Sequence, residues 1–403
     1  MYRRLLVLAL GAFAVGTDSF VIAGLLPDVS RSLHVSTGAA GQLITAYALA
    51  YAVLSPVLAA LTASWPRRTV LLTGLAVFVV GTAASALLSS YAAVLAGRAL
   101  AGAGGGMTVP TAGGIGAGLV PERLRGRALS IVLAGLTAAT ALGSPLGTAV
   151  AAVADWRTTL LGVAGLGLIA LAGVAVGMPS GPGVRAAGMR ARLAPVRDRR
   201  VAAILATSLL AYAGLFSAYS YIAVVLHPVT GGDGTTLAVL LLAWGLAATA
   251  GNLAAGNLSD RFGGHRTAVI ALLVVTADFV VLPWGVRHLA TAVIVLVVWG
   301  VAGWGLLVAQ QHRLVGAAPA AAPLVIALNS TATYAAVSAS GAIGAAVIAT
   351  AGAGWLGPVA VVFLLAALAM AFLGGGGFDR TVRDDPRARA AGPVAVTGEH
   401  RRP

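Results

Sequence analysis

Between Leu5 and Leu26 every residue is uncharged except Asp18, and between 92 and 117 every residue is uncharged except Arg98. As a helix, the first of these runs extends roughly 33 Å, enough to cross a bilayer core. A charge placed inside such a span costs about 2.5–3.5 kcal/mol on insertion scales. An acid kept at that cost suits an ion or substrate path; tied to one neighbour, it would only fasten helices. Counted from the outer ends of their runs, Asp18 and Arg98 both lie roughly 9–12 Å below the surface, so they can meet. Arginine holds its proton permanently, so Asp18 is the partner able to bind a coupling proton and Arg98 the one that tunes it. The alternative is a permanent ion pair fixing the first helix to the fourth.

Other side chains could do chemistry of a weaker kind. Tyr212, Phe216 and Tyr219 recur at i, i+4 and i+7, and Tyr47 and Tyr51 at i and i+4, each set forming one stripe that could stack on an aromatic ligand or simply pack. Asn329 and Tyr334 are further candidate substrate contacts. Asp278, seven residues from an outer helix end, is expected to be structural or to reach the interface. Gln310, Gln311, His312 and Arg313 read as a solvated helix end. Gly102, Gly104, Gly105 and Gly106 make no phosphate loop, because no Lys-Ser/Thr follows them. Neither metal-ligand spacing nor a Ser/His/Asp constellation stands out, so no enzyme, metal or cofactor is expected.

These residues must be positioned by membrane helices. The 403 residues are 59% hydrophobic and 9% charged, with mean hydropathy +0.94, too little polar surface for a water-soluble domain. Long apolar runs select helices over a barrel, and 53 glycines suit close helix packing in lipid. Twelve segments can be drawn: 5–26, 40–62, 69–88, 92–117, 127–152, 158–178, 201–226, 237–258, 267–285, 289–309, 324–350 and 355–374. The first is too long for a signal peptide and lacks a small-residue cleavage site, so it should remain as a membrane helix.

All 26 basic residues are Arg. With the N-terminus inside, Arg3, Arg4, Arg67, Arg68, the 123–127 group, the linker and tail arginines, Arg261, Arg266 and Arg313 fall on the inner side. Only Arg31, Arg157 and Arg287 fall outside. By the positive-inside rule both termini are cytoplasmic, and the net charge of +14 reports topology and anionic lipid rather than nucleic acid. Trp156, Trp284 and Trp355 sit at outer helix ends, as interfacial anchors would. The expected plan is a bundle at 1–178, a basic linker at 179–200, a second bundle at 201–374, and a disordered tail at 375–403. Gly143-Ser144-Pro145-Leu146-Gly147 in segment five and Gly341-Ala342-Ile343-Gly344 in segment eleven suggest that the halves are related.

Gly16-Thr17-Asp18-Ser19-Phe20 running to Ala23-Gly24-Leu25-Leu26-Pro27, together with the twelve spans and basic central loop, resembles the major facilitator superfamily over residues 1–374. Within it the chain is similar to the twelve-helix drug:proton antiporters, close to the chloramphenicol-exporter and sugar-efflux group. Arg98-Ala99-Leu100-Ala101-Gly102-Ala103-Gly104 resembles the family's buried-arginine motif, which implies proton transfer. Gly135 with Gly143, Pro145 and Gly147 resembles the motif of exporters, although Ser144 and Thr148 replace usual glycines. Gly256, Asp260, Arg261 and Gly263 match the gate motif between helices eight and nine. Its counterpart between helices two and three is degraded: Ala59, Ala63, Ser64 and Pro66 replace the usual residues, leaving Arg67 and Arg68 without their usual charge-pair lock.

The resemblance implies an all-α polytopic fold of two pseudo-symmetric six-helix halves in the bacterial inner membrane. It implies a monomer that exports small lipophilic or aromatic compounds, chloramphenicol-like antibiotics among them, against protons, with lipid around it and no cofactor beyond the gradient. A proton-coupled sugar or metabolite transporter, working in either direction, is one alternative. A non-transporting membrane sensor or scaffold is another.

Overall fold

The computed structural model describes residues 2–179 and 194–375. Most of the expected linker and the tail beyond Gly375 therefore lie outside the described residues. Among the described residues twelve long helices carry the fold: α1 (Tyr2–Leu33), α2 (Thr37–Leu61), α3 (Arg67–Leu87), α4 (Tyr91–Gly118), α5 (Glu122–Val153), α6 (Trp156–Gly177), α7 (Arg199–Tyr219), α8 (Gly234–Phe262), α9 (Gly264–Gly285), α10 (Leu289–Ala317), α11 (Ala322–Thr350) and α12 (Leu356–Gly375). No strand occurs among the described residues. Eleven of these helices are long and apolar enough to cross a membrane, and α4 is the other. It has the length, but nine of its 28 residues are glycine and one is Arg98, which dilutes its apolar character.

Helix starts follow their caps. Ser36 and Ser90 accept from the N–H groups of Ala39 and Ala93, and Asp155 and Asp233 do the same for Thr158 and Thr236. Several helices outrun their apolar segments because the backbone continues to coil in polar surroundings, as α1 does through Pro27 to Leu33. The exception is α7, which stops at Tyr219 rather than running to 226 and is followed by two short helices, Ile222–Val225 and His227–Thr230. The composition stays apolar across this break, so hydropathy is blind to it. What fixes the break is Tyr221, buried against Gly41 and Gly344, whose hydroxyl donates to the Gly341 carbonyl at 2.7 Å.

Six helices pack on either side of the chain's midpoint. In the first set α3 lies on α4 and α6, and α1 on α5 and α6; in the second α8 and α9 lie on α10, and α11 and α12 on α7. The halves meet where α2 faces α11 and α5 faces α8. Along the first seam Gly38 abuts Ala345, Gln42 donates to the Gly341 carbonyl at 3.3 Å, and Thr45 donates to the Ser338 carbonyl at 3.2 Å. Along the second, Gly234 abuts Ala152 and Gly245 sits on the Thr140 carbonyl. The first seam's contacts and the Gly234–Ala152 contact lie toward the end of the bundle that bears Leu33 and Thr37, whereas Gly245 meets Thr140 deeper, near the middle of the bundle. Farther along α2, Val53, Val57 and Leu61 are exposed.

Trp284 and Trp355 are exposed at helix ends, as anchors require, but Trp156 is only 3% exposed. It is packed into the core with the Arg157 guanidinium 4.4 Å above its ring, a contact that position along the chain does not reveal.

Small residues set the helix spacing. In α5 the π turn at Ala139–Gly143 interrupts the α-helix, and glycines on either side lie directly on α1. A Cβ at Gly135 would fall 2.1 Å from the Ala9 carbonyl oxygen, one at Gly143 2.0 Å from the Thr17 hydroxyl, and one at Gly147 2.5 Å from Val21. Gly135→Leu should therefore destabilise the protein by about 1–3 kcal/mol or more through overpacking against fixed backbone. Gly165→Ala, which meets nothing within 4 Å, should leave stability unchanged or raise it by up to about 1 kcal/mol. Unfolding in mixed micelles would compare the two, and equal losses would contradict this packing.

Candidate functional site

The α1–α5 seam brings the middle of α1 against α2 and α4, and there the two charges meet. Arg98 Nη1 lies 2.7 Å from Asp18 Oδ2, and Nη2 donates to the Asp18 backbone carbonyl at 3.0 Å. Both side chains are fully enclosed, at 0% and 1% exposure. The guanidinium also lies over the Tyr47 ring, 4.6 Å from its centroid. Asp18 Oδ1 and Arg98 Nε have no hydrogen-bond partner among the described residues. A carboxylate offers about four lone-pair sites, so Oδ1 keeps acceptor capacity that the arginine leaves unused.

Tyrosines cover this pair. Ser19 Oγ lies 2.9 Å from the Val15 carbonyl and 3.1 Å from the Tyr47 hydroxyl, which itself donates to Val15 at 3.3 Å. One turn along α2, Tyr51 stacks on Tyr334 of α11, with centroids 3.7 Å apart and planes 15° apart. That stack joins the two halves. Ser19 is not among the sequence candidates; its neighbour Asp18 was the available signal.

The α7 stripe belongs to a larger cluster. Phe20 of α1 lies 6.2 Å from Phe216 and 5.8 Å from Tyr219, and 5.9 Å from Trp304 of α10. Tyr219 stacks on Trp244 of α8 at 4.6 Å, and Trp244 meets Trp299 edge-on at 6.0 Å. Tyr212 packs on Phe216, and its hydroxyl donates to the Gly303 carbonyl. Phe20, Trp244, Trp299 and Trp304 escape sequence reasoning because they come from three different helices and share no stripe. Of the positions with the exporter-motif resemblance, Gly135, Gly143 and Gly147 line the α1–α5 seam rather than this cluster, and Pro145 is buried beside them in α5.

The remaining candidates are dispersed. Asn329 is 1% exposed, and neither its amide nitrogen nor its oxygen has a partner among the described residues. In the gate motif Gly263 ends α8 with φ +85°, Asp260 lies 3.8 Å from His312, and Arg261 lies over Phe262. Gly256 faces open space. Arg67 starts α3, and Arg68 donates to the Ala175 carbonyl near the end of α6.

One expectation needs correction, and another is narrowed to its structural alternative. Gln310 and Arg313 are not a solvated end: they are 0% and 5% exposed, Arg313 donates to Gln310 at 2.7 Å, and Gln310 donates to Ile204 and Ser208 of α7. The turn of α10 that carries them faces α7, so their polar atoms are satisfied inside the bundle. Asp278 does not reach the interface either, for it is buried and its Oδ2 has no partner among the described residues.

Two surface depressions of about 630 and 710 Å³ open at the Leu33 end, one beside Asp28, Asp155 and Asp233 and the other beside Ser36 and Gln42. Neither reaches Asp18.

A twelve-helix bundle with an enclosed acid–arginine pair and an aromatic cluster between its halves is a multi-pass membrane protein of transporter type. A profile of the Major Facilitator Superfamily matches residues 8–342, and the chain belongs to that superfamily. It is 29% identical over 372 residues to the uncharacterized MFS-type transporter YbcL of Bacillus subtilis, covering 92% of this chain and 95% of that protein. It is 31% identical over 352 residues to the inner membrane transport protein YdhP of Escherichia coli, covering 87% and 90%. A chloramphenicol resistance protein of Streptomyces lividans is 34% identical over 269 residues, 66% of this chain and 69% of that protein. The crystal structure of the nucleoside transporter NupG superposes with TM-score 0.74 at 13% identity, over 92% of this chain and 98% of that one. A bacterial homolog of the human lysosomal transporter Spinster gives 0.72 at 16%, over 93% and 97%. At such identities these two structures bear on the fold alone.

Removing one member of an enclosed pair leaves the other charge uncompensated. Arg98→Met should cost about 3–5 kcal/mol of stability at neutral pH, and adding Asp18→Asn should recover most of that loss. Unfolding of the two single variants and the double variant would show this, and simple additivity would mean that the pair is not coupled.

Proposed function

We propose that this chain exports small lipophilic or aromatic compounds, chloramphenicol-like antibiotics among them, across the bacterial inner membrane in exchange for protons. The observation that carries this reading is the enclosed carboxylate of Asp18, bound to Arg98 through one oxygen and without a partner among the described residues at the other. Kinship with chloramphenicol resistance and efflux proteins at about 30% identity supports the choice of cargo.

In this account the two six-helix halves, 1–178 and 201–374, rock about the central site. Both termini are cytoplasmic, which makes the Leu33 end the outer one and the present arrangement closed on that side. Asp18 carries the coupling proton and Arg98 tunes its release. Tyr47, Tyr51, Tyr212, Phe216, Tyr219, Asn329 and Tyr334 are the candidate cargo contacts. The α1–α5 glycine seam carries motion of α5 to the helix that holds the acid, because backbones in contact cannot slide independently. The α8–α9 gate motif, with Arg67 and Arg68 on the other half, latches the cytoplasmic side. The proton gradient is the only energy source, and the working unit is a monomer.

Energised everted vesicles test the reading. Adding chloramphenicol should release protons from the acidified lumen in wild type, and Asp18→Asn should abolish that release. Release unchanged in Asp18→Asn, or proton uptake with the substrate, would contradict antiport through this residue.

A further inference from the structure

Trp244 is 3% exposed, and its indole Nε1–H has no acceptor among the described residues. Buried indoles normally find a partner, because an unmade hydrogen bond there forfeits the hydration that the donor loses on burial. The neighbouring hydroxyls are directed elsewhere: that of Tyr219 lies 3.5 Å from Ser144 Oγ, and that of Tyr212 donates to Gly303. Around the indole stand rings from both halves. Tyr219 stacks on it, Trp299 and Trp304 meet it edge-on at 6.0 and 6.4 Å, and Phe20 of α1 closes the group against Phe216 and Trp304. Phe20, Phe216 and Trp304 are each partly exposed, so the cluster has an open side.

We infer that this cluster is the subsite for an uncharged aromatic ligand carrying a hydrogen-bond acceptor, and that Trp244 Nε1 is the donor that selects it. The inference rests on the export reading above and narrows its cargo.

Charge decides between ligand classes. The cluster itself contains only aromatic side chains, and Asp18, two residues before Phe20, is already balanced by Arg98. Ring faces attract a cation, but a cation here would lose its hydration without gaining a free counter-charge, and the desolvation loss is the larger effect. An uncharged ring loses little on entering and stacks on faces already arranged. An acceptor on that ring meets the idle indole N–H, a contact that an unsubstituted hydrocarbon cannot make.

Calorimetric titration of the purified full chain in detergent tests this. Chloramphenicol serves as the uncharged acceptor-bearing ligand, with other neutral aromatics beside it and tetraphenylphosphonium as the cation. Wild type should bind chloramphenicol, and more tightly than it binds the cation. Trp244→Phe, which keeps a ring and removes the N–H, should weaken chloramphenicol by about tenfold, while Trp284→Phe at the exposed end of α9 should not change it. Without ligand, Trp244→Phe should still unfold cooperatively, somewhat earlier than wild type because the smaller ring leaves a void, so its weakened affinity is read on folded protein. Equal affinity in Trp244→Phe, or tighter binding of the cation, overturns the subsite while leaving lipophilic export standing. Binding of neither the neutral aromatics nor the cation to wild type overturns both.

Discussion

An acid and a guanidinium shut inside a lipid-embedded bundle constrain everything near them. Neither can be left alone there, since an unpaired charge in that medium is worth several kcal/mol against folding. They must therefore touch, and touching requires α1 and α4 to hold a fixed depth and rotation. The structure meets that requirement with small residues. A Cβ at Gly102 of α4 would fall 2.2 Å from the Tyr47 carbonyl oxygen, and α5 presents Gly135, Gly143 and Gly147 to α1. The result is a rigid frame around a carboxylate of which only one oxygen is bound by the arginine.

Where the halves meet explains why such a frame can be linked to cargo. The Tyr51–Tyr334 stack and the contacts of Phe20 with Phe216 and Trp304 bridge the halves within a few residues of Asp18. Any rotation of one half against the other must separate these rings, and with them the cover over the acid. Cargo seated among the same rings would meet α1 directly. The π turn of α5, between α1 and the Gly245 face of α8, gives the second seam a local irregularity of the kind often found at functional positions.

Much of this could be read from residue types. One acid in a 22-residue apolar run, and one arginine at matching depth three helices later, were enough to place Asp18 against Arg98. The twelve runs and the arginine pattern gave the bundle. What could not be read was the face toward which a polar or aromatic residue turns. Gln310 and Arg313 look like a wet helix end because hydropathy averages along the chain, yet α7 covers them. Trp156 looks like an interfacial anchor but is enclosed under Arg157. The break after Tyr219 follows from a tyrosine seated between glycines on α2 and α11, a contact between residues 180 and 123 positions apart. Trp244 and Phe20 join one cluster, through Tyr219 and Trp304, only once four helices have been brought together.

Proton-coupled export through this site requires Asp18 to change protonation when cargo arrives. Infrared difference spectroscopy of the full chain in lipid, recorded with and without an uncharged aromatic substrate, reads that event directly. A protonated-carboxyl band should change on substrate addition in wild type and be missing from the Asp18→Asn difference spectrum. A substrate-induced spectrum with no carboxyl band, or one whose band survives in Asp18→Asn, would contradict the account.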